Sequence, residues 1–181
     1  MKLSTFELFK RLGKIDGSIE LSTDQLKELQ LCLLDMLKDV DKFCKKEGIQ
    51  YYLSGGTALG AFRHKGFIPW DDDLDINMTR KDFSAFFESF EKAFPDKYVV
   101  QSPGHTAGYF LTSGRIRLKN SAYVTRGEED EEEEGIFVDI FIIENVPDNK
   151  LLRKIHGFFC LIFGFLLSCR MFHKNRKSYQ S

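Results

Sequence analysis

The run Asp73-Leu74-Asp75-Ile76-Asn77-Met78 alternates polar and apolar residues, the pattern of a strand buried on one face. Few features constrain a chain more. Side chains on a strand repeat every two residues, so Asp73 and Asp75 are expected on the same face. Their backbones then lie about 6.5–7 Å apart, at a rise of about 3.3 Å per residue. Two such carboxylates repel each other unless a hard divalent cation, or two cations sharing an oxygen, lies between them. Upstream, Ile49 to Leu53 is β-rich and runs into Ser54-Gly55-Gly56, a strand ending in a turn. Thr57 to Arg63 then has helix-forming composition, with Ser54 or Thr57 as cap, and Gly66 and Pro69 end it. A Gly-Gly turn ahead of a helix lets the backbone approach a ligand and aims N–H groups at an anion such as phosphate.

A third acid fits the same scheme. Gly135 to Ile143 is a strongly hydrophobic strand interrupted by Asp139 alone, where an unpaired charge is costly. Neighbouring strands are about 4.8 Å apart, so an adjacent strand can deliver Asp139 to the point that Asp73 and Asp75 face. Three acids from two strands, opposite a Gly-Gly turn, describe a metal-dependent phosphoryl or nucleotidyl transfer site. Other readings of the acid run fare worse. As an EF-hand loop starting at Asp71 it places Ile76 where glycine belongs and Asp82 where glutamate belongs. Asp71-Asp72-x-x-Asp75 also matches the diphosphate motif of all-helical prenyl synthases, but here the segment follows Pro69 and is extended. Asp71 and Asp72 themselves are expected in a solvated loop.

The remaining chain supplies scaffold. Leu26, Leu29, Leu33, Met36, Val40 and Phe43 form one apolar stripe, predicting an amphipathic helix over 22–47. Ser22 with Gln25 forms a capping box and Gly48 the stop. Lys81 to Ala93 predicts a second helix, with Phe83, Phe86, Phe87 and Phe90 on one face, and 98–101 and 115–124 predict strands. The fold class is therefore α/β (α+β), a mixed sheet covered by helices, in one domain over 22–149 behind a leader, 1–21. A helical segment with a basic tail, 150–181, completes the chain. Its core, Gly157 to Cys169, holds thirteen residues without charge, short of the roughly 20 that a spanning helix needs. A buried helix is the first expectation for it, and peripheral contact with a membrane surface the second.

Charge and cysteine usage narrow the class. The net charge is −1, but 150–181 holds seven bases (Lys150, Arg153, Lys154, Arg170, Lys174, Arg176, Lys177) and no acid. An acidic body with a basic tail is not the footprint of a nucleic-acid binder. The cysteines, at 32, 44, 160 and 169, form no Cys-x-x-Cys pair, and free thiols in a reducing, cytoplasmic setting are expected. The seven consecutive acids of 128–134 read as a solvated loop.

The block from Tyr51 to Asp75, YYLSGGTALGAFRHKGFIPWDDDLD, resembles the hallmark of the LicD family, and Gly135-Ile136-Phe137-Val138-Asp139-Ile140-Phe141 resembles its second signature. The resemblance covers roughly 25–165. It implies a nucleotidyltransferase-like fold and transfer of phosphocholine from CDP-choline to a cell-surface glycan, with CDP-ribitol as the donor of eukaryotic, fukutin-type relatives. It also implies Mg²⁺ (or Mn²⁺) held by Asp73, Asp75 and Asp139, with phosphate bound around Ser54, Gly55, Gly56 and Thr57. Glu144 stands where the family commonly has aspartate. Arg63, His64 and Lys65, and the alternating Arg115, Arg117 and Lys119, are candidate phosphate contacts. Trp70 and Tyr52 are candidates for a quaternary-ammonium cage. Two rivals remain: a nucleotidyltransferase moving NMP to a small acceptor, and a catalytically silent, membrane-associated binding module.

Overall fold

The computed structural model describes residues 21–107, 109, 111–123 and 135–174. The leader up to residue 20, Val124, the acidic run 128–134 and the tail bases Arg176 and Lys177 lie outside the described residues.

The first helix, α1 (Thr23–Glu47), forms as its termini dictate. Ser22 Oγ accepts from the Gln25 N–H while Gln25 Oε1 accepts from the Ser22 N–H, and Gly48, at φ 68°, closes the other end. Its stripe buries Leu29, Leu33, Met36, Val40, Phe43 and Cys44, with Leu26 half-buried. After it come β1 (Tyr52–Leu53), α2 (Gly55–His64), β2 (Asp75–Thr79), α3 (Arg80–Ala93), β3 (Tyr98–Gln101), β4 (Gly114–Leu118), β5 (Phe137–Ile143) and α4 (Lys150–Lys174). The strands form one mixed sheet in the order β1-β2-β5-β4-β3. Only β2 and β5 run parallel; the other neighbours are antiparallel.

One face of that sheet is sealed. Leu74, Ile76, Met78, Ile116, Val138 and Ile140 meet the apolar stripes of α1 and α3 there. Phe43 of α1 packs edge-on against Phe86 and Phe90 of α3, at centroid distances of 5.7 and 5.1 Å. Gly114 is required at this interface, because a Cβ on it would lie 2.2 Å from the Phe87 ring.

The strands are shorter than the sequence predicts. β1 keeps only Tyr52 and Leu53; before it, Ile49 turns into the core and the Tyr51 hydroxyl donates to Asp41. β2 begins at Asp75, where its parallel pairing with β5 begins, so Asp73 lies just ahead of the strand. β4 ends at Leu118 and gives way to a turn, with Asn120 at φ 58°.

The expectation of a buried C-terminal helix is overturned. α4 has 25 residues and none of its described side chains is buried. It starts early because Asn149 Oδ1 accepts from the N–H groups of Leu151 and Leu152, which adds an apolar turn ahead of Gly157.

Candidate functional site

The parallel register sets Asp75 directly opposite Asp139. Arg115 on β4 is opposite Asp139 on the other side, and Gln101 on β3 is opposite Arg115. These four residues make one polar row across four strands, on the face away from the sealed core.

Local bonding fixes the acidic end of the row. The Asp75 N–H donates to Thr57 Oγ1 at 2.9 Å, and the Asp75 carbonyl accepts from the Ser54 N–H at 3.0 Å. Both contacts tie the start of α2 to the start of β2. The Asp139 N–H donates to the Leu74 carbonyl at 3.1 Å. Ahead of the strand, Gln30 of α1 donates through Nε2 to the carbonyls of Ile68 and Asp71, at 3.3 and 2.8 Å, and holds the acid-bearing loop down.

The paired glycines face the acids. Gly55 takes φ +47°, and a Cβ on it would stand 3.3 Å from Asp75 Oδ2. A Cβ on Gly56 would come within 2.7 Å of Asp71 Oδ2. Carboxylates therefore crowd the N-terminal turn of α2, where the helix dipole and free N–H groups favour negative charge. Burial, followed by the neighbouring carboxylates of Asp73, Asp139 and Asp71, pushes the Asp75 carboxyl up to about 6. Burial and then Asp71, Asp72 and Asp139 raise Asp73, and burial with Asp72 raises Asp71.

Asp139 is balanced differently. Arg115 Nε donates to Asp139 Oδ1 at 2.7 Å and Nη2 to Oδ2 at 3.4 Å, with the guanidinium stacked 4.0 Å over the Phe137 ring. The pair is largely shielded, at 9% and 17% side-chain exposure. Arg117, fully buried on the same face, donates to Gln101 Oε1 at 2.7 Å and to the Gly135 carbonyl. Beside Asp73 and Asp139 a cavity of about 170 Å³ opens between Leu29 and Leu33 of α1, Tyr123, Phe137 and Asp72. The Tyr123 hydroxyl donates to Asp72 Oδ2 at 3.2 Å, and burial, with the adjacent Asp72, pushes that phenol up to about 12.

Among the described residues, no group of three or more His, Cys, Asp or Glu side chains stands ready to hold a metal ion. The donor set nevertheless suits a hard cation in kind. It consists of carboxylate oxygens, one of them, Asp71 Oδ2, buried with no hydrogen-bond partner.

The structure thus brings together Asp73, Asp75, Asp139, Ser54, Gly55, Gly56, Thr57 and Arg115. It leaves others apart. Arg63 is exposed in the last turn of α2, eight residues and about 12 Å from the glycine end. Lys119 lies beyond β4, with Nζ on the Pro95 carbonyl at 2.6 Å. Glu144 pairs with Arg80 past the far end of β5. Trp70 and Tyr52 are exposed and do not line the cavity. Asp71, expected in solvent, instead packs on Gly56; the alternation Asp71-x-Asp73-x-Asp75 was the signal for it. All four cysteines are free, as expected.

Fold and site together define a mixed α/β domain with an acidic cleft set against a glycine-rich helix start. Residues 48–156 match the family described as LicD/FKTN/FKRP, nucleotidyltransferase domain, and the chain belongs to that family. It is 32% identical over 123 residues to the lipopolysaccharide cholinephosphotransferase LicD of Haemophilus influenzae, covering 68% of this chain and 46% of that protein. It is 36% identical over 55 residues to the human ribitol 5-phosphate transferase FKRP, covering 28% of this chain and 11% of that one. A third relative, the yeast mannosyltransferase regulator 4, is 30% identical over 107 residues, 59% of this chain and 8% of its own length. The chain spans less than half the length of each of these relatives.

Proposed function

We propose that this protein is a metal-dependent phosphotransferase. It moves a phosphocholine-type group from a CDP-activated donor to a glycan hydroxyl and releases CMP. The observation that carries the reading is the meeting of Asp75 and Asp139 across the parallel pair, with Asp73 and Asp71 beside them and Gly55-Gly56 against them. The activities for which two relatives are named, a cholinephosphotransferase and a ribitol 5-phosphate transferase, fit transfer of a phospho-alcohol.

Electrostatics explains the need for a cation. The acids already occupy the anion-favouring turn of α2, so a diphosphate arriving there meets like charge. Asp73, Asp75 and Asp139 are the residues that would hold Mg²⁺, and Asp139 already accepts from Arg115. When bound, Mg²⁺ offsets the charge of the diphosphate and of the departing CMP. The chain's own groups do the rest. Thr57 and Ser54 fix Asp75 against α2, the N–H groups of Gly55 and Gly56 orient a phosphate, and Arg115 adds positive charge at the Asp139 side. The acceptor oxygen attacks the phosphorus bearing the alcohol, the phosphorus–oxygen bond to CMP breaks in line, and a carboxylate of the cluster takes the hydroxyl proton. The 170 Å³ cavity, with carboxylates and the Tyr123 and Phe137 rings in its wall, suits an alkylammonium headgroup.

The test is product analysis with Mg²⁺ and, in parallel, CDP-choline, CDP-ribitol, CTP and ATP, each with a glycan extract. CMP release from a CDP-alcohol, absent in Asp75→Asn, is expected. Pyrophosphate release from a nucleoside triphosphate would assign NMP transfer instead. Tight donor binding without any turnover would assign a silent binding module.

A further inference from the structure

The apolar surface of α4 has no use in the reaction above. Leu161 is 76% exposed, Phe165 68% and Leu151 67%, while the core-facing leucines and methionine of α1 fall to 7% or less. From Ile155 to Cys169 the helix contains no Asp, Glu, Lys or Arg. The apolar stretch Lys150–Arg170 has 21 residues, long and apolar enough to cross a membrane, and none of it is buried. At 1.5 Å per residue it measures about 31 Å from Lys150 to Arg170 and its charge-free centre about 22 Å, against a hydrocarbon core of about 30 Å, so the basic side chains at its ends must reach outward to complete the span. Lys150, Arg153 and Lys154 mark one end and Arg170 and Lys174 the other, and no acid follows Asp148.

We infer that α4 is a bilayer-spanning helix, its partner being the lipid, with anionic headgroups at both basic ends; to span, it must swing off the sheet body, where Leu167 and Arg170 border a cavity with Arg80 and Ile142. The alternatives fit the observations less well. A helix lying flat in the interface needs a charged face along its length, and this one lacks charge over its central fifteen residues. Pairing with a second copy covers one side of a helix whose large apolar side chains point to most sides, and it brings like-charged ends together. In a bilayer the central side chains are all solvated by lipid tails, and the long Lys and Arg side chains extend to the headgroups. Asp139 stands eleven residues before Lys150, so the acidic row lies within about 37 Å of chain from the start of the span. An acceptor glycan carried on a lipid of the same membrane is then within reach. That consequence rests on the phosphotransferase reading, whereas the membrane attachment does not.

The test is flotation of the full chain with vesicles of phosphatidylethanolamine and phosphatidylglycerol on a density gradient. The protein is expected to float with the vesicles and to stay bound through washes in high salt and in alkaline carbonate. The double variant Phe159→Asp/Phe163→Asp is expected to lose vesicle binding by about a hundredfold or more, each aspartate opposing insertion at mid-helix. Its sheet body should unfold at an unchanged temperature, which separates lost insertion from lost folding. Release by salt alone would overturn the inference in favour of surface adsorption, and a soluble monomer or dimer that ignores vesicles would overturn it outright. CMP release is scored separately, so failure of the reaction leaves the flotation result readable.

Discussion

The acidic row and α4 are opposite kinds of exception to the rest of the fold. In the row, charges of one sign are packed closer than water alone would favour: Asp75 faces Asp139, with Asp73 and Asp71 adjacent. In α4, apolar side chains stand in solvent although the same chain buries such residues well elsewhere. The row also contains its own contrast. Asp139 has a resident counter-charge in Arg115, whereas Asp75 has glycine backbone, a threonine hydroxyl and more carboxylates around it. A fold keeps such a deficit where a ligand makes it good, which is why the functional proposals attach to these two regions.

The sharpest break of the comparison is at the two central acids. Asp75→Asn and Asp139→Asn are each expected to lower CMP release by about a thousandfold, the range seen when a preorganised electrostatic group is removed. Their stabilities should diverge. Asn at 75 relieves repulsion and leaves the metal-free protein as stable as before or more so. Asn at 139 weakens the shielded ion pair with Arg115 and destabilises the protein. Thermal unfolding of the two variants side by side checks this, and equal destabilisation of both would dissolve the distinction between the two acids.

Arg115→Met tests the same contrast from the other side. Removing the guanidinium leaves Asp139 shielded and unpaired, at a cost of about 2–3 kcal/mol in metal-free protein. Mg²⁺ should recover part of that loss, because the vacated oxygens of Asp139 become available to it. Chemical denaturation with and without Mg²⁺ reads the difference, and a loss indifferent to Mg²⁺ would assign Arg115 to packing alone.

Gly56→Ala is expected to act more locally. Its Cβ would lie 2.7 Å from Asp71 Oδ2, so the Asp71 carboxylate must turn away from the start of α2. Donor and metal binding should weaken by about ten- to a hundredfold, as when a supporting partner of a metal site is lost. Calorimetry with Mg²⁺ measures it.

Local signals carried most of this fold into the sequence. The Ser22–Gln25 box, Gly48 and the phenylalanine stripe of α3 each act within a turn or two, and each forms as its chemistry dictates. Asp139 was legible too, because a lone carboxylate in an apolar strand needs a reason. What stayed hidden depends on register between distant segments. Nothing local says that β2 and β5 run parallel with Asp75 level with Asp139, that Arg115 meets Asp139, or that Gln30 reaches the Asp71 carbonyl 41 residues on. The fate of α4 was misread for a different reason. Thirteen uncharged residues read as a short segment for the core to bury, but Arg153 and Lys154 do not interrupt the helix, and Leu151, Leu152 and Ile155 lengthen its apolar run.

The smallest expected effect is also the most direct reading of the charge deficit. Because the folded state raises the Asp75 carboxyl from 3.8 to about 6, the folded protein holds that proton more tightly than the unfolded chain. Its contribution to stability is full below pH 3.8 and is lost as pH rises through about 6. Asp71 and Asp73 are raised and act in the same direction. Asp39 acts in the opposite one: although burial pushes it up, hydrogen bonds from Lys97 and Tyr98 outweigh that and lower it. Comparing the wild type with Asp75→Asn across pH removes these shared contributions. The wild type should lose about 1–2 kcal/mol relative to the variant between pH 4 and 7, after allowance for the water that reaches the half-buried carboxylate. Saturating Mg²⁺ should erase the difference, since a cation supplies at high pH what the proton supplies at low pH. Parallel pH profiles for the two proteins would mean that Asp75 is not the strained member of the row.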